Sequence, residues 1–469
     1  MKDFTCDVLI VGTGVAGLYS ALKLPDNLDI VLITKAKPEE CDSYVAQGGI
    51  CVLKSEDDYD SYFEDTMKAG HYENNPVSIN LMIRNSQKVI KDLIGYGTRF
   101  EKDDDGNLKY TREGAHSTAR ILFHEDITGE EITSHLLEAA RQKPNIRIYQ
   151  DVTMIDILKA TGTDGTTYCS GVVAVSSSSE ELKKYSRKKT TSGKDLIFIK
   201  AHETIWACGG IGGLYQHSTN YPHLTGDALG IALKHGIPLQ DPDYIQIHPT
   251  TFYTQKKERS FLISESVRGE GGILLDKNGK RFVNELLPRD VVANAIFEQM
   301  KKDDTEHVML SMENIPKTEI KNHFKHIYEH CLEEGYDCTK EPIPVVPAQH
   351  YFMGGIAVDS SSRTSMNALY AIGETSCNGV HGKNRLASNS LLESLVFAGI
   401  AAKQISEEIE NIKNQPKSID SIDPADYMNT DKIFEEYKKI ILSEIKRMKE
   451  YHERHNNENE HGQFDTASA

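Results

Sequence analysis

Residues Gly12-Thr13-Gly14-Val15-Ala16-Gly17 constrain the fold of this chain more than any other segment. They follow an apolar, β-branched run at 7–12 (DVLIVG) and precede an apolar stretch of helical spacing that ends near Leu24. Strand, G-x-G-x-x-G, helix is the order of a dinucleotide-binding unit. Gly12 makes the tight turn, Gly14 lets backbone approach a pyrophosphate, and Gly17 lets helix pack closely on strand. The pyrophosphate then sits at the helix N-terminus, where free N–H groups and the helix dipole favour negative charge. A strand apolar on both faces belongs in a parallel sheet, so an α/β fold with a Rossmann-like domain is expected.

The second strand, 30–34, leads to Lys35, where a nicotinamide site would place an acidic residue against the ribose 2′-hydroxyl; Glu39 and Glu40 lie beyond that position. The departure argues against NAD. Further on, strands at 167–176 and 195–208 flank a polar segment, 177–193, that reads as a loop. A second glycine cluster, 208–213, follows a strand. A strand at 368–372 ends in Gly373-Glu374, and Ser388-Asn389-Ser390-Leu391-Leu392 opens an apolar helix. Nucleotide-type segments therefore bracket a different middle. The expected architecture is a discontinuous domain of 1–237 and 353–405, an inserted capping domain of 238–352, and a short helical C-terminal region of 406–469. In that last region Ile433, Phe434, Tyr437, Ile440, Ile441 and Leu442 form the apolar stripe of a helix over 431–452, and 456–469 is expected to fray. The acidic triplet 103–105 reads as turn chemistry within 101–107, and no metal site is expected.

Composition narrows the partners. Lys and Arg total 53 against 70 for Asp and Glu, a net charge of -17 that disfavours nucleic acid. No run of 18 apolar residues offers a membrane span. Eight scattered cysteines without a C-x-x-C pair suit reduced thiols, and Met1 to Phe4 lead straight into the first strand, so a cytoplasmic location is expected.

Four basic side chains stand in distinctive contexts: His248 before Pro249-Thr250, Arg289 in Leu287-Pro288-Arg289-Asp290, His350 in Gln349-His350-Tyr351, and Arg385 in Asn384-Arg385-Leu386. Arginine binds carboxylate through bidentate charge-assisted bonds and histidine donates to the same oxygens, so together they suit a small dicarboxylate. Taken singly, His248 reads as a loop residue and Arg289 as half of a local ion pair with Asp290.

These residues also carry a resemblance. The glycine motif, Ala46-Gln47-Gly48-Gly49, His248-Pro249-Thr250, the stretch from Ser264 to Gly271 (SESVRGEG), Leu287 to Asp290, and Asn384-Arg385 through Leu392 occur in order. Together they resemble the flavoprotein family of succinate dehydrogenase, fumarate reductase and L-aspartate oxidase, over about residues 5–400. Covalently flavinylated members carry a His four residues before the Ala of A-Q-G-G; Asp42 stands there, so the resemblance implies FAD held without a covalent link. The stretch from Thr111 to Ile121 (TREGAHSTARI), followed by Asp126-Ile127-Thr128-Gly129, resembles the aspartate-oxidising branch, in which the residue matching Glu113 faces the α-amino group of the substrate.

Motif by motif, the resemblance puts Gly12, Thr13, Gly14, Val15, Ala16 and Gly17 at the FAD pyrophosphate and Lys35 near the adenosine. Asp42, Ser43, Tyr44, Val45, Ala46, Gln47, Gly48 and Gly49 then run along the cofactor toward the isoalloxazine. Asp227, Glu374, Ser390 and Leu391 complete the cofactor shell. His248 and Ser264 would hold one substrate carboxylate, His350 and Arg385 the other, and Arg289 would transfer the proton while hydride leaves Cα. Arginine is an awkward base, with an ordinary pKa of about 12.5 or above, and needs burial and cationic neighbours to serve. Ser264 replaces the usual Thr and keeps the hydroxyl.

The implied function is FAD-dependent oxidation of L-aspartate to iminosuccinate with O2 or fumarate as acceptor, feeding quinolinate synthase in NAD biosynthesis. The alternatives are a soluble fumarate reductase or succinate dehydrogenase-type flavoprotein, and a flavin relay subunit, which would need no carboxylate clamp. The C-terminal region is shorter than the family leads one to expect.

Overall fold

The strand Phe4–Val11 forms the middle of the main sheet because Val8, Leu9 and Ile10 are wholly buried, with one side chain on each face in turn. It pairs in parallel with Ile30–Ile33 on one side and with Asp195–Trp206 on the other. Ile146–Tyr149 extends the parallel half beyond Ile30–Ile33, and Leu369–Ala371 joins Asp195–Trp206 in parallel. On the far side Thr167–Ser176, Val152–Gly162 and Lys417–Ile419 add antiparallel strands, so the nine-stranded sheet is mixed rather than purely doubly wound. The computed structural model describes residues 3–177, 180–256 and 259–465, with residues 456–465 described by backbone alone.

Two apolar clusters sandwich this sheet. The helices Val15–Lys23, Pro76–Gly95, Thr128–Gln142 and Asn389–Lys413 pack on one face; Asp227–Lys234 and the C-terminal helix pack on the other. A third cluster belongs to a separate four-stranded antiparallel sheet, Ile245–Phe252, Ile343–Phe352, Val308–Ser311 and Ile273–Leu275, with the helices Arg289–Asp303, Lys317–Asn322 and Lys325–Glu333 against it. All of these elements fall within 238–352. Short strands Leu239–Gln240, Gly355–Ala357 and Ser376–Cys377 tie the entry and exit of this lobe together.

Several expectations need adjustment. The polar segment 177–193 is not all loop: it holds a helical turn, Glu180–Lys183, and a strand, Lys188–Lys189, paired with Asp195–Trp206; residues 178–179 lie outside the described residues. In the C-terminal helix, Thr430–Asp465, Tyr437 and Ile441 are buried, whereas Ile440 and Leu442 face outward, so the stripe is narrower than the apolar run suggested. The fraying expected over 456–469 meets a backbone that stays helical to Asp465, and 466–469 lie outside the described residues. Asp103 caps its own turn by accepting from the N–H groups of Asp105 and Asn107. The eight cysteines are free thiols, and among the described residues no helix is long and apolar enough to cross a membrane.

Candidate active site

One continuous cavity runs from the glycine turn to the basic cluster. At its sheet end Gly12 sits at φ +117°, and a Cβ there would lie 2.0 Å from the Ala207 carbonyl oxygen, so the approach of two strand ends requires glycine. Gly14 caps the helix Val15–Lys23 without a side-chain cap. Ser43 Oγ accepts from the Val15 N–H at 3.3 Å, and the helix N-terminus borders the cavity as an anion site would require. Lys35 Nζ donates to the His223 carbonyl at 2.9 Å and to Asp227 Oδ2 at 2.7 Å, bracing one end of the cavity.

Gly12, Thr13, Gly14, Ala16, Lys35, Asp42, Ser43, Val45, Ala46, Gln47, Gly48, Gly49, Asp227, Glu374, Ser390 and Leu391 all line the cavity. Val15, Gly17 and Tyr44 do not. Val15 is buried in the core, Gly17 packs on Gly12, and the Tyr44 hydroxyl turns away to donate to Glu130 Oε1 at 3.0 Å. Three buried polar atoms on the cavity wall, Gln47 Oε1, Asn220 Oδ1 and Asp42 Oδ2, have no partner among the described residues. Buried polar groups need hydrogen bonds, and an elongated polar ligand laid against the glycine turn supplies them; the residues fit FAD. Burial pushes the Asp42 carboxyl up to about 7 and the Glu374 carboxyl up to about 8, with the Asp42 charge adding to the push on Glu374.

At the other end the cap contributes His248 from the strand Ile245–Phe252, not from a loop. Pro249 cannot donate to the ladder, and the register shifts between His248 and Thr251. The bulge turns Thr250 N–H toward His248 Nδ1, 3.2 Å away. Nδ1 also lies 3.0 Å from the Thr250 carbonyl oxygen, and Nε2 is buried without a partner among the described residues. His350 sits 5.0 Å from it, ring centroid to centroid, held through Nδ1 to Thr219 Oγ1 at 2.7 Å. Burial first, and then the Arg289 charge, drive both imidazoles well below their ordinary pKa, so both rings are neutral. Arg385 donates to Ser390 Oγ at 2.7 Å and lies over the Tyr351 ring at 4.5 Å. Burial, then Arg289, lowers its pKa to about 10.

Arg289 opens the helix Arg289–Asp303, and its partner is not the adjacent Asp290. Its Nε donates to Glu265 Oε2 and its Nη1 to Gln246 Oε1 at 2.9 Å. Burial opposes ionisation of Glu265, but Arg289 and Arg268 overcome it and hold the carboxyl below its ordinary range. Gln246 Oε1 also accepts from Arg385 Nε at 3.2 Å, so a single amide oxygen spaces the two arginines. Gln246 and Glu265 escaped the reading of the sequence. A signal existed for Gln246: in the strand I-Q-I-H, residues 246 and 248 alternate onto one face, and both polar side chains are buried there.

Glu113 enters from the segment 111–120, which Arg120 pins from beneath through Asp58 at 3.1 Å and Asp65 at 2.5 Å. Its carboxylate is 4% exposed and accepts from Ser388 Oγ at 2.6 Å and Ser266 Oγ at 3.0 Å. Gly48 permits the approach, since a Cβ there would stand 2.7 Å from Glu113 Oε1. Burial, then the nearby Glu265, raise the Glu113 pKa, while the two serines work in the opposite direction. Ser264 caps the short helix Glu265–Gly269 and donates to Ser266 Oγ at 3.3 Å. Thus Arg289, Glu113, His248, His350, Arg385 and Ser264 all border one cavity, together with Glu265, Ser388, Asn220, Arg259 and Tyr351, to which the motifs assigned no role.

Comparison with known proteins fits this geometry. Residues 7–391 match the family described as FAD binding domain. The chain is 46% identical to an L-aspartate oxidase of Clostridium perfringens, covering 94% of this chain and 95% of that one. It is 45% identical to an L-aspartate oxidase of Clostridium acetobutylicum, covering 88% and 90% respectively. Among solved structures, a chain of E. coli quinol fumarate reductase superposes with a TM-score of 0.78 at 28% identity, covering 96% of this chain and 74% of that chain. With a glycine turn shaped for a dinucleotide and a cluster of arginines and histidines on the same cavity, the chain belongs to the L-aspartate oxidase family of FAD-binding flavoproteins.

Proposed function

We propose that this protein oxidises L-aspartate to iminosuccinate, with Glu113 selecting the substrate's ammonium and Arg289 taking the proton. It is an FAD-dependent oxidoreductase of the kind that serves NAD biosynthesis. One observation supports the assignment to aspartate above the others. In a cavity edged by Arg289, Arg385, His248 and His350, Glu265 is matched by two arginines, whereas among the described residues Glu113 makes no ion pair and is held by serines. Such a carboxylate is costly beside a dicarboxylate substrate unless that substrate brings a cation. Aspartate does; succinate does not.

FAD held along the glycine turn and the 42–49 segment would supply the acceptor for the hydride that leaves Cα. Everything else falls to the chain. His248 Nε2 and the Ser264 hydroxyl hold one carboxylate, which requires Ser264 to turn its single proton from Ser266 to the substrate. Arg385 and His350 hold the other. Gln246 keeps Arg385 and Arg289 in register, so the clamp and the proton acceptor are set by one amide. The proton taken at Arg289 has Glu265 as its next neighbour, with Arg268 3.6 Å beyond. With both imidazoles neutral, Arg385 is the charged member of the carboxylate clamp. Oxygen or fumarate as acceptor, a cytoplasmic site of action and delivery of iminosuccinate to quinolinate synthase belong to the same proposal.

A soluble fumarate reductase is the second reading, favoured by the superposition on quinol fumarate reductase. Purified holoenzyme mixed without oxygen with L-aspartate, and separately with succinate, separates the two. Flavin bleaching by aspartate and not by succinate supports the first reading; bleaching by succinate alone overturns it.

A further inference from the structure

Ser266 touches the side chain that the proposed function makes responsible for selecting aspartate, and the motif that contains it assigns it no role. Its hydroxyl donates to Glu113 Oε1 at 3.0 Å and, until a substrate claims the Ser264 proton, accepts from the Ser264 hydroxyl at 3.3 Å. Ser388 Oγ holds the other oxygen at 2.6 Å. Ser266 is 6% exposed, and its backbone N–H is fixed by the Ser264 cap, so its hydroxyl has no solvent alternative.

We propose that Ser266 is a specificity-determining positioning residue, which together with Ser388 keeps Glu113 ionised and aimed into the substrate cavity for the ammonium of an amino dicarboxylate. The inference rests on the reading of Glu113 as the ammonium partner.

The surroundings of Glu113 make such support necessary. From the helix Glu265–Gly269 it faces Glu265, which opposes its charge, and Arg268. From the helix Arg289–Asp303 it faces Arg289, from the segment before Asn389–Lys413 it faces Arg385, and from the strand Ile50–Cys51 it faces the Cys51 thiol. The arginines are committed elsewhere, to Glu265, Gln246, Thr250 and Ser390. Burial and Glu265 favour the neutral acid, and the serine donors are the direct contacts that favour the anion. A neutral Glu113 would offer the ammonium no charge, while a substrate without an ammonium would lose nothing. Loss of Ser266 is therefore expected to act on one substrate and on one side of the pH range.

The test compares wild-type holoenzyme with Ser266→Ala, Ser266→Thr and Glu113→Gln, each matched for FAD content and thermal stability. Two pH profiles are measured: kcat/KM for L-aspartate, and fumarate-dependent reoxidation of chemically reduced enzyme. In Ser266→Ala the acidic limb for aspartate should move up by about one pH unit, with about a tenfold loss at a pH below the limb. The fumarate profile should stay within about twofold, and Ser266→Thr, which keeps the hydroxyl, should restore the aspartate limb. An unmoved limb in Ser266→Ala, or an equal fall with both substrates, overturns the inference. A Glu113→Gln enzyme that loses both activities equally removes the underlying reading; a selective Glu113→Gln beside a silent Ser266→Ala removes the role of Ser266 alone.

Discussion

Asp290 is held by His71, 3.0 Å away on the other lobe, and not by Arg289 beside it in the chain. The pair spans the FAD-binding lobe and the cap, and it leaves Arg289 to Glu265 and Gln246. His71 and its neighbour Tyr72 both adopt left-handed backbone, at φ 59° and 61°, a conformation costly for side-chain-bearing residues and found where surrounding structure enforces it. The consequence for chemistry is that Arg289 is presented by three fixed contacts around the first turn of its helix.

Arg289→Leu should therefore lose aspartate turnover by at least about 100-fold, as expected for removal of a proton-transfer group, while still binding a dicarboxylate. Stopped-flow flavin reduction gives the first quantity, and perturbation of the flavin spectrum by succinate gives the second. Full turnover in this variant would exclude the proton role.

The Asp42 and Glu374 carboxyls predict a pH dependence of the apo protein. Both are raised in the folded state, to about 7 and about 8. Folded protein thus binds their protons more tightly than the unfolded chain, whose carboxyls titrate near about 4. Their contribution is complete below that unfolded value and is lost as pH rises through 7 and 8. The melting temperature of apo protein should fall over this range, and Glu374→Gln should flatten the fall. An equal slope in wild type and variant would contradict the assignment.

The C-terminal helix is expected to support the cofactor lobe. Tyr437 is 3% exposed, lies against Gly230, and donates from its hydroxyl to the Ile155 carbonyl at 2.9 Å; the Phe434 ring lies 5.3 Å from Lys35 Nζ. Tyr437→Ala should cost about 3 kcal/mol in denaturant unfolding, as other buried aromatic truncations do. Ile440→Ser, on the outward face of the same helix at 39% exposure, should stay within about 0.5 kcal/mol. Similar losses in both would mean that the helix does not pack as described.

Much of this arrangement was legible because local chemistry dictated it. The glycine turn between Phe4–Val11 and Val15–Lys23 follows from backbone sterics, and the inserted sheet follows from nucleotide-type segments on either side of it. What escaped were relationships that only folding creates. Arg289 and Asp290 read as a local pair until the lobes brought His71 to one and Glu265 to the other. Ser266 and Ser388 look like any serines in the chain, and nothing local reveals that residues 122 positions apart close on the same carboxylate. Tyr44 sits in a run of cavity-lining residues, but its side chain turns to Glu130, a direction that nothing local dictates. Of the apolar triplet Ile440-Ile441-Leu442, only Ile441 faces the body, because helical rotation separates adjacent residues.

The central claim is that Glu113 makes this cavity an aspartate site. The most direct measurement is the ratio of anaerobic flavin-reduction rates with L-aspartate and with succinate, in wild type and in Glu113→Gln. The ratio should favour aspartate strongly in wild type and fall by about 10–100-fold in the variant, the scale of one lost charged hydrogen-bonding partner. A Glu113→Gln enzyme that keeps the wild-type ratio, however slow it is, would contradict the account.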